Sequence, residues 1–358
     1  MITLSSAQDG LGYYCDYYNH FYVFDKGNNI QVESNPVDSI KTGDDYIAYI
    51  NQAGNLRVYY NGQTETVEED IPTAMIATAN ALVYKMNQRL MIYKHGKKTQ
   101  LASWVVSFYA ADSIVTWQEE RSMDVMAYQN GEIKTVEGGN SVKAINNGQT
   151  GKNLFAYNDM NNQFKIFYNN LVYDTKSSNI REYSCGLNTV AFIDRFNNTF
   201  NVFYKGEVTM LSEQAPKSFA VADNMVCYID PNGSFMIYLE KKIIQLESYT
   251  PTIQNSRDNI IEYYYEPELK IIYDATKYKV DKFIPQQTIL LGPNSALYMD
   301  SNNRPKYFYK GKTSEELVIE QVKEMHLNRD LPVFTYGNST IGFYYNGKLY
   351  EYETSKQK

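Results

Sequence analysis

The sequence is poor in the residues that most often build metal or catalytic sites. Its 358 residues include only three histidines and three cysteines. The histidines, His20, His95 and His326, stand far apart along the chain, whereas a zinc site needs three or four converging ligands. We therefore expect neither a metal ion nor a cofactor.

The chain also lacks long apolar runs and an excess of positive charge. No apolar run approaches the roughly 18 residues of a transmembrane helix, and residues 1–8 lack the charged start and apolar stretch of a signal peptide. The net charge of −7 argues against a nucleic-acid partner, which would need a basic surface. We expect no membrane span and no nucleic acid. The expected compartment is the cytoplasm, or the periplasm if an export signal has been removed.

A repeat is the strongest feature of what is present. A similar short sequence motif occurs ten times, and each copy ends in an Asp or Asn, here called the marker. Successive markers are 32 to 41 residues apart, and most steps are 35 or 36 residues. The markers are Asp9, Asp45, Asn80, Asp112, Asn153, Asn188, Asn224, Asn259, Asn294 and Asp330. A period of this size indicates an array of one supersecondary unit.

Each unit contains four predicted strands. An apolar strand such as Tyr46–Ile50 follows the marker, and an aromatic strand such as Leu56–Tyr60 comes after a polar turn. The turn Asn61-Gly62 then leads into a more polar strand, because Asn and Gly tolerate the positive φ of tight hairpins. A strand of smaller residues, such as Ala74–Ala79, precedes the next marker.

Four antiparallel strands form a meander that needs neighbours on both faces, and radial stacking of such units gives a β-propeller. We predict an all-β fold with about ten short four-stranded blades in a single ring, the whole chain 1–358 forming one domain. The small-residue strands should line the centre and the polar strands the rim. Two five-bladed rings and a solenoid are the alternatives. The predicted blades begin near residues 2, 37, 73, 104, 141, 180, 217, 252, 286 and 322.

Cysteines and acidic turns have structural interpretations within this repeat. Cys15 and Cys227 fall on second strands and Cys185 on an inner strand, each in place of a small apolar residue, so buried free thiols are expected. Turns such as those beginning at Asp159 and Asp194 resemble calcium loops but lack the closing Glu. Their Asp side chains are expected to cap their own turns, and the repeated markers to serve the turn from the innermost strand to the second.

Paired carboxylates are the main feature that could support catalysis. Glu119-Glu120 and Glu68-Glu69-Asp70 offer the two acids that glycoside hydrolysis uses, but both runs fall in turns or on rim strands. Nucleophile-elbow, zincin and P-loop motifs do not occur. We expect a non-enzymatic protein and keep a propeller hydrolase as a less favoured alternative.

Departures from the period suggest where a partner could bind. The step before Asp112 is short, the next is lengthened by residues 141–151, and residues 314–324 have apolar spacing that permits a helical turn. Aromatic residues gather near two irregular blades, and aromatics dominate binding hot spots. The partner-binding candidates are Trp104, Trp117, Tyr263, Tyr264 and Tyr265. A protein-binding scaffold acting as a cap, plug or adaptor is the predicted function, and a carbohydrate- or small-ligand-binding propeller is the alternative.

The repeat resembles the tandem repeat of six- to ten-bladed bacterial propellers. In each copy a small-residue strand is followed by Asp or Asn, an apolar strand, an Asx turn, an aromatic strand and then Asn-Gly or Lys-Gly. The Tyr- and Asn-rich, Cys-poor composition is similar to that of propellers from gliding bacteria. In those bacteria one propeller subunit plugs the periplasmic mouth of the type IX protein-secretion translocon. The resemblance implies the fold and suggests a role in secretion, and it assigns no functional residue.

Overall fold

A computed structural model describes residues 10–139, 148–283, 285, 289–314, 317–318, 320–337 and 339–354. All regular structure in these ranges is β-strand, arranged as ten successive antiparallel sheets. Nine sheets have four strands in meander order. The first has three, since its predicted innermost strand falls within residues 1–9, outside the described residues.

The strands of the first five blades follow in chain order. Blade 1 has β1 (Leu11–Cys15), β2 (Phe21–Asp25) and β3 (Asn28–Glu33). Blade 2 has β4 (Asp38–Thr42), β5 (Tyr46–Ile50), β6 (Leu56–Tyr60) and β7 (Gln63–Glu68). Blade 3 has β8 (Ala74–Ala77), β9 (Leu82–Met86), β10 (Arg89–Lys94) and β11 (Lys97–Ala102). Blade 4 has β12 (Val105–Ala111), β13 (Ile114–Glu119), β14 (Val125–Gln129) and β15 (Glu132–Glu137). Blade 5 has β16 (Gln149–Thr150), β17 (Leu154–Asn158), β18 (Gln163–Tyr168) and β19 (Leu171–Ser178).

The remaining five blades repeat this order. Blade 6 has β20 (Ile180–Cys185), β21 (Thr189–Asp194), β22 (Phe200–Tyr204) and β23 (Glu207–Ser212). Blade 7 has β24 (Ser218–Ala222), β25 (Met225–Ile229), β26 (Phe235–Leu239) and β27 (Lys242–Glu247). Blade 8 has β28 (Thr252–Arg257), β29 (Ile260–Tyr265), β30 (Glu268–Tyr273) and β31 (Thr276–Asp281). Blade 9 has β32 (Leu290–Leu291), β33 (Ser295–Met299), β34 (Pro305–Tyr309) and β35 (Lys312–Ser314). Blade 10 has β36 (Val322–Asn328), β37 (Leu331–Tyr336), β38 (Thr340–Tyr345) and β39 (Lys348–Glu353).

The ten sheets close into one ring, which confirms the predicted architecture over two rings or a solenoid. The first strands of successive blades contact one another, as β4 does with β8 and β8 with β12, so they lie innermost. Blade 1 packs directly on blade 10: Phe24 stacks on Phe343 with ring centroids 4.6 Å apart, and Tyr14 joins the same core cluster. Asn328 of blade 10 also donates a hydrogen bond to the Leu11 carbonyl.

The hydrophobic core lies between the blades. Every residue of Tyr46–Ile50 is buried, because neighbouring blades cover both faces of this second strand. Between blades 6 and 7 the rings of Tyr204 and Tyr238 meet edge to face, 6.1 Å between centroids. Outer strands such as Glu207–Ser212 are mostly exposed, as predicted for the rim. Asn61 and Gly62 both have positive φ, as the tight turn requires.

In blades 5 to 7 and 8 to 10 the marker side chains hydrogen-bond to one another across neighbouring blades instead of capping their own turn, which corrects their predicted role there. The Asn153 side chain donates to the Asn188 side-chain oxygen at 2.6 Å, and Asn188 donates in turn to Asn224 at 2.8 Å. Asn294 continues the pattern by donating to the Asp330 carboxylate at 2.8 Å. An Asx side chain is short and carries an acceptor, so it spans the gap between adjacent inner turns.

Three further sequence expectations are revised. In blade 4 the second strand starts at Ile114, so Ser113 and not Asp112 takes the marker position. Cys227 is buried as expected, but Cys15 is exposed at the end of β1. The helical turn expected in residues 314–324 is not formed at Val322–Glu324, which pairs with β37 as an innermost strand. Residues 315–316 and 319 of that segment, and 140–147 of the predicted insertion, lie outside the described residues.

Candidate partner-binding face and axial charge cluster

The two faces of the ring differ in the loops they carry. In an antiparallel meander, the turn after the first strand and the turn after the third strand emerge at one end of the blade. The markers and the Asn-Gly turns therefore lie on one face, here called the marker face. The turn between the second and third strands and the connection to the next blade emerge at the other end, here called the connection face.

Trp104 is exposed on the connection face, between β11 and β12. Its side chain is 42% accessible, and the Arg121 guanidinium lies 4.4 Å from the ring centroid. The Glu120 amide donates a hydrogen bond to the Trp104 carbonyl at 2.9 Å. The blade-4 turn and the connection that precedes it are thus held together, and a cation covers one face of the indole.

Trp117 does not reach the surface on which the sequence placed it. The residue is 1% exposed and packs with Val83, Phe108 and Val115 between blades 3 and 4. It lies inside strand β13, whose two faces are both covered by neighbouring blades. A partner cannot contact this side chain while the ring is intact.

The three consecutive tyrosines of blade 8 differ in burial according to their position along β29. Tyr263 is fully buried, whereas Tyr264 is half-buried and donates a hydrogen bond to the Glu262 carboxylate. Tyr265 ends the strand with 43% exposure, and its ring stacks on Tyr249 with centroids 3.6 Å apart. Of the three, only Tyr265 is exposed, and it lies at the connection-face end of β29.

Other exposed side chains on this face were missed in the sequence. Phe196 is 75% exposed at the tip of the blade-6 turn, and Met160 occupies the corresponding turn of blade 5. Tyr17 and Tyr18 stand at the blade-1 turn, and Ile71 lies in the connection from blade 2 to blade 3. Within the described ranges, every large apolar residue exposed in a turn or connection lies on this one face.

Acidic side chains hold these turn tips in place. The Asp194 carboxylate accepts hydrogen bonds from the amides of Phe196 and Asn197, at 2.9 and 3.1 Å. Asp159 likewise accepts from the Asn161 amide at 2.8 Å. These contacts confirm that the acids cap their own turns. Burial acts to raise the pKa of Asp159, but Lys165 and the backbone amides outweigh it and lower that pKa.

A second feature lies on the marker face, where charged residues directly before the markers converge. This axial cluster consists of Asp44, Asp112, Lys152, Asp223, Asp258 and Arg329. Lys152 of blade 5 has its ammonium nitrogen 2.6 Å from Asp223 and 3.0 Å from Asp258. The same nitrogen lies 4.0 Å from Asp112, so one cation links carboxylates of blades 4, 7 and 8.

Burial and ion pairing shift the pKa values of the axial-cluster residues in opposite directions. Desolvation raises the pKa of Asp223 above its usual range, although Lys152 partly offsets this. Burial lowers the pKa of Lys152, but the Asp258 and Asp223 carboxylates outweigh burial and raise it. The Arg329 guanidinium lies 2.6 Å from Asp44. The cluster thus carries four acids and two bases, and its chemistry is that of an electrostatic clamp between blades.

The residues considered for metal binding and catalysis are dispersed or already paired. His20 contacts Asp16 at 2.9 Å, and His95 lies 3.7 Å from Asp45 in another blade. No group of three or more His, Cys, Asp or Glu positioned for a metal occurs among the described residues. Glu68 accepts a hydrogen bond from Tyr84 at 2.8 Å, which anchors it on the rim strand. The part of the chain that the structure covers also contains no helix able to cross a membrane.

Ring closure, ten sheets and interblade cores define the chain as a single-ring ten-bladed β-propeller. Residues 5–350 match the model of the 10-bladed beta propeller domain family, and the protein belongs to that family. No curated protein matches the chain.

Two solved structures illustrate the similarity to other proteins. The computationally designed Ika8 protein is 17% identical, with a TM-score of 0.31, over 76% of this chain and 95% of that one. Prp20p from Saccharomyces cerevisiae is 8% identical, also with a TM-score of 0.31, over 56% of this chain and 71% of that one. Neither likeness bears on function at these scores.

Proposed function

We propose that this protein is a non-enzymatic scaffold that binds a protein partner through its connection face. The observation that carries the proposal is the placement of exposed Met160 and Phe196 at the turn tips of two adjacent blades, on the same face as the exposed Tyr17 and Tyr18 of blade 1. Soluble proteins rarely gather exposed apolar side chains without using them in binding. Met160 and Phe196 are neighbours on blades 5 and 6 and form the centre of the proposed surface, whereas Tyr17 and Tyr18 lie across the ring on blade 1.

The rigidity of the turn tips supports protein binding further. Asp194 and Asp159 cap the turns that carry Phe196 and Met160, and these two turns belong to adjacent blades. A turn whose backbone is held before binding loses less conformational entropy on association. The two residues therefore form a preformed apolar ridge at the edge of blades 5 and 6, suited to a complementary groove on a partner.

The role that we propose for this protein within a larger assembly follows from the same geometry. A flat ring with one apolar face and a charge-clamped opposite face is suited to act as a cap, plug or adaptor subunit. Membership of the type IX secretion translocon is a hypothesis that rests on composition alone. We expect no turnover of esters, peptides, phosphates or glycosides.

A carbohydrate-binding propeller is the alternative, and Trp104 is the residue that could support it. Sugar rings stack on open indole faces, whereas Arg121 already covers one face of Trp104 at 4.4 Å. The other face of Trp104 would have to provide the stacking surface. Glycan binding that depends on Trp104 but not on Phe196 would favour this alternative.

The test is quantitative affinity purification from the native host with a matched pair of variants. The Met160→Ser/Phe196→Ser double variant removes the apolar ridge, and Met210→Ser removes a residue that is also more than half exposed, on the rim strand of blade 6. Both variants should keep the native unfolding temperature, because the replaced side chains are exposed. We expect the double variant to lose at least ten-fold in partner recovery and Met210→Ser to lose none. Equal recovery by all three proteins would refute this face as the binding surface.

A further inference from the structure

A cleft between blades 3 and 4 opens on the marker face, opposite the proposed partner-binding face. Its volume is about 280 Å³. Ala81, Val83 and Ile92 of blade 3 form one wall, and Val115 and Tyr128 of blade 4 form the other. These wall side chains are apolar, whereas polar atoms contribute more than half of the exposed lining. The cleft lies where the repeat step is shortened.

The cleft exists because blade 3 lacks a tyrosine that blade 2 supplies. Tyr46 of blade 2 is buried against blade 3, and its hydroxyl donates to the carbonyls of Ala81 at 2.6 Å and Thr78 at 3.1 Å. Ala81 holds the corresponding position in blade 3 and faces blade 4. A methyl group replaces a phenol ring there, so the space between the two blades is not filled.

The residue three positions earlier changes together with this tyrosine. In blade 2 it is Gly43, and a Cβ at that position would lie 2.1 Å from a Tyr46 ring carbon. In blade 3 it is Thr78, whose hydroxyl is within hydrogen-bond distance of the Ala81 carbonyl at 3.0 Å. Blade 2 thus combines Gly43 with Tyr46, whereas blade 3 combines Thr78 with Ala81, and the blade-3 combination leaves the cleft.

The mouth of the cleft is polar and asymmetric. Asp112 lies at its inner end, where it accepts a hydrogen bond from the Ala79 amide at 2.8 Å and belongs to the axial cluster. Lys94, Asn130 and Tyr128 lie at the outer end, and the Lys94 side chain is exposed. The outer end of the cleft therefore offers hydrogen-bond donors and one positive charge next to the aliphatic side chains of the walls.

We propose that this cleft binds a small, mainly apolar molecule that carries a single carboxylate. The apolar body would lie against Val83, Ile92 and Val115, and the carboxylate would pair with Lys94. An apolar cavity of roughly 150 Å³ accommodates benzene, so 280 Å³ suits a two-ring aromatic or a branched aliphatic acid. Lys94 selects an anionic group, and the aliphatic side chains of the two walls provide an apolar contact surface for the body of the ligand.

Isothermal titration calorimetry with 2-naphthoate tests the site directly. We expect saturable binding to the native protein. The Thr78→Gly/Ala81→Tyr double variant transfers the Gly43–Tyr46 arrangement to blade 3 and should weaken binding at least ten-fold with no loss of thermal stability. Ala81→Met is a second filling variant that follows the example of blade 7, where Met225 comes after Ala222 at the same spacing.

The anionic class is tested separately by Lys94→Gln. This substitution should weaken 2-naphthoate binding about five- to ten-fold, as loss of a charge-assisted hydrogen bond does, and leave the neutral 2-naphthalenemethanol unaffected. Lys98→Gln is the control, because Lys98 pairs with Glu68 at 3.3 Å on the side of blade 2. Absence of saturable naphthoate binding, or equal binding by native and filled variants, would overturn the site. Equal effects of Lys94→Gln and Lys98→Gln would overturn the ligand class.

Discussion

Removing the ammonium group of Lys152 should destabilise the ring through the axial cluster. Lys152→Met keeps most of the side-chain volume but leaves Asp223 and Asp258 facing each other without their shared cation, which lies 2.6 and 3.0 Å from them. Breaking a buried ion pair on one side costs about 3–5 kcal/mol. The Lys152 side chain is 23% exposed and that of Asp223 is 6% exposed, so water relieves part of this penalty. We expect a loss of about 2–3 kcal/mol in unfolding free energy at pH 7.5.

The pH dependence of this loss separates an electrostatic cause from lost packing. Burial already raises the folded-state pKa of Asp223 above the unfolded value, and removal of Lys152 raises it further. A carboxyl with a raised folded pKa takes up a proton on folding, so the variant gains stability relative to the native protein as pH falls through that pKa. The difference between the two proteins should therefore shrink between pH 7.5 and pH 5.

Urea unfolding followed by tyrosine fluorescence at the two pH values measures both quantities. Lys241→Met is the matched control, because its ammonium lies at the same 2.6 Å from a carboxylate, that of Glu207, but both side chains are more than half exposed. We expect it to cost under about 0.5 kcal/mol at either pH. A loss below about 1 kcal/mol for Lys152→Met, or a loss that is equal at pH 5 and pH 7.5, would refute the clamp.

Three further predictions test packing, thiol burial and a buried acid. Tyr204→Ala should cost about 3–5 kcal/mol in urea unfolding, because its ring is buried between blades 6 and 7; a loss below about 1 kcal/mol would contradict that core. In a thiol-reagent assay on the folded protein, Cys15 should react within minutes, while burial shields Cys227 and raises its pKa; equal labelling rates would contradict the assigned exposures. Glu262→Gln should stabilise the protein at pH 8 more than at pH 5. Burial raises the pKa of Glu262, so the native protein loses stability as pH rises through that pKa. A difference in melting temperature between variant and native protein that is equal at both pH values would contradict this.

The period and the strand types could be predicted because a few neighbouring residues specify each strand, and the same residue pattern recurs in every repeat. The apolar strand Tyr46–Ile50, the Asn61-Gly62 turn and the polar rim strand follow from residue preferences that act within a few positions. Ten similar copies reduce the effect of any irregular one. Ring closure by Phe24 and Phe343 is then the way for the end blades to cover their apolar faces.

The site residues were harder to predict, since aromatic content does not reveal which way a side chain faces. Trp117 and Tyr263 belong to second strands buried on both sides, so strand alternation gave no sign of burial. Phe196, in contrast, sits among polar turn residues, and its position at the centre of an Asp-capped turn was the available signal for exposure.

The axial cluster was missed in the sequence because its members are far apart along the chain. Each is a charged residue directly before the marker position, as Asp44 and Arg329 are, and charged residues in turns usually face solvent. Only closure of the ring brings Lys152 within 3.0 Å of Asp258, which lies three blades further on. A charge recurring at one fixed position of the repeat was the signal that could have identified the cluster.

Hydrogen–deuterium exchange of the protein with and without its purified partner tests the central claim most directly. The account predicts slower exchange at the connection-face turns, foremost those that carry Met160 and Phe196, with unchanged exchange at the marker-face turns such as Asn61-Gly62. The exposed rim strand Glu207–Ser212 provides an internal reference on the same blade as Phe196. Protection confined to the marker face or to the rim strands would contradict a scaffold that binds through its connection face.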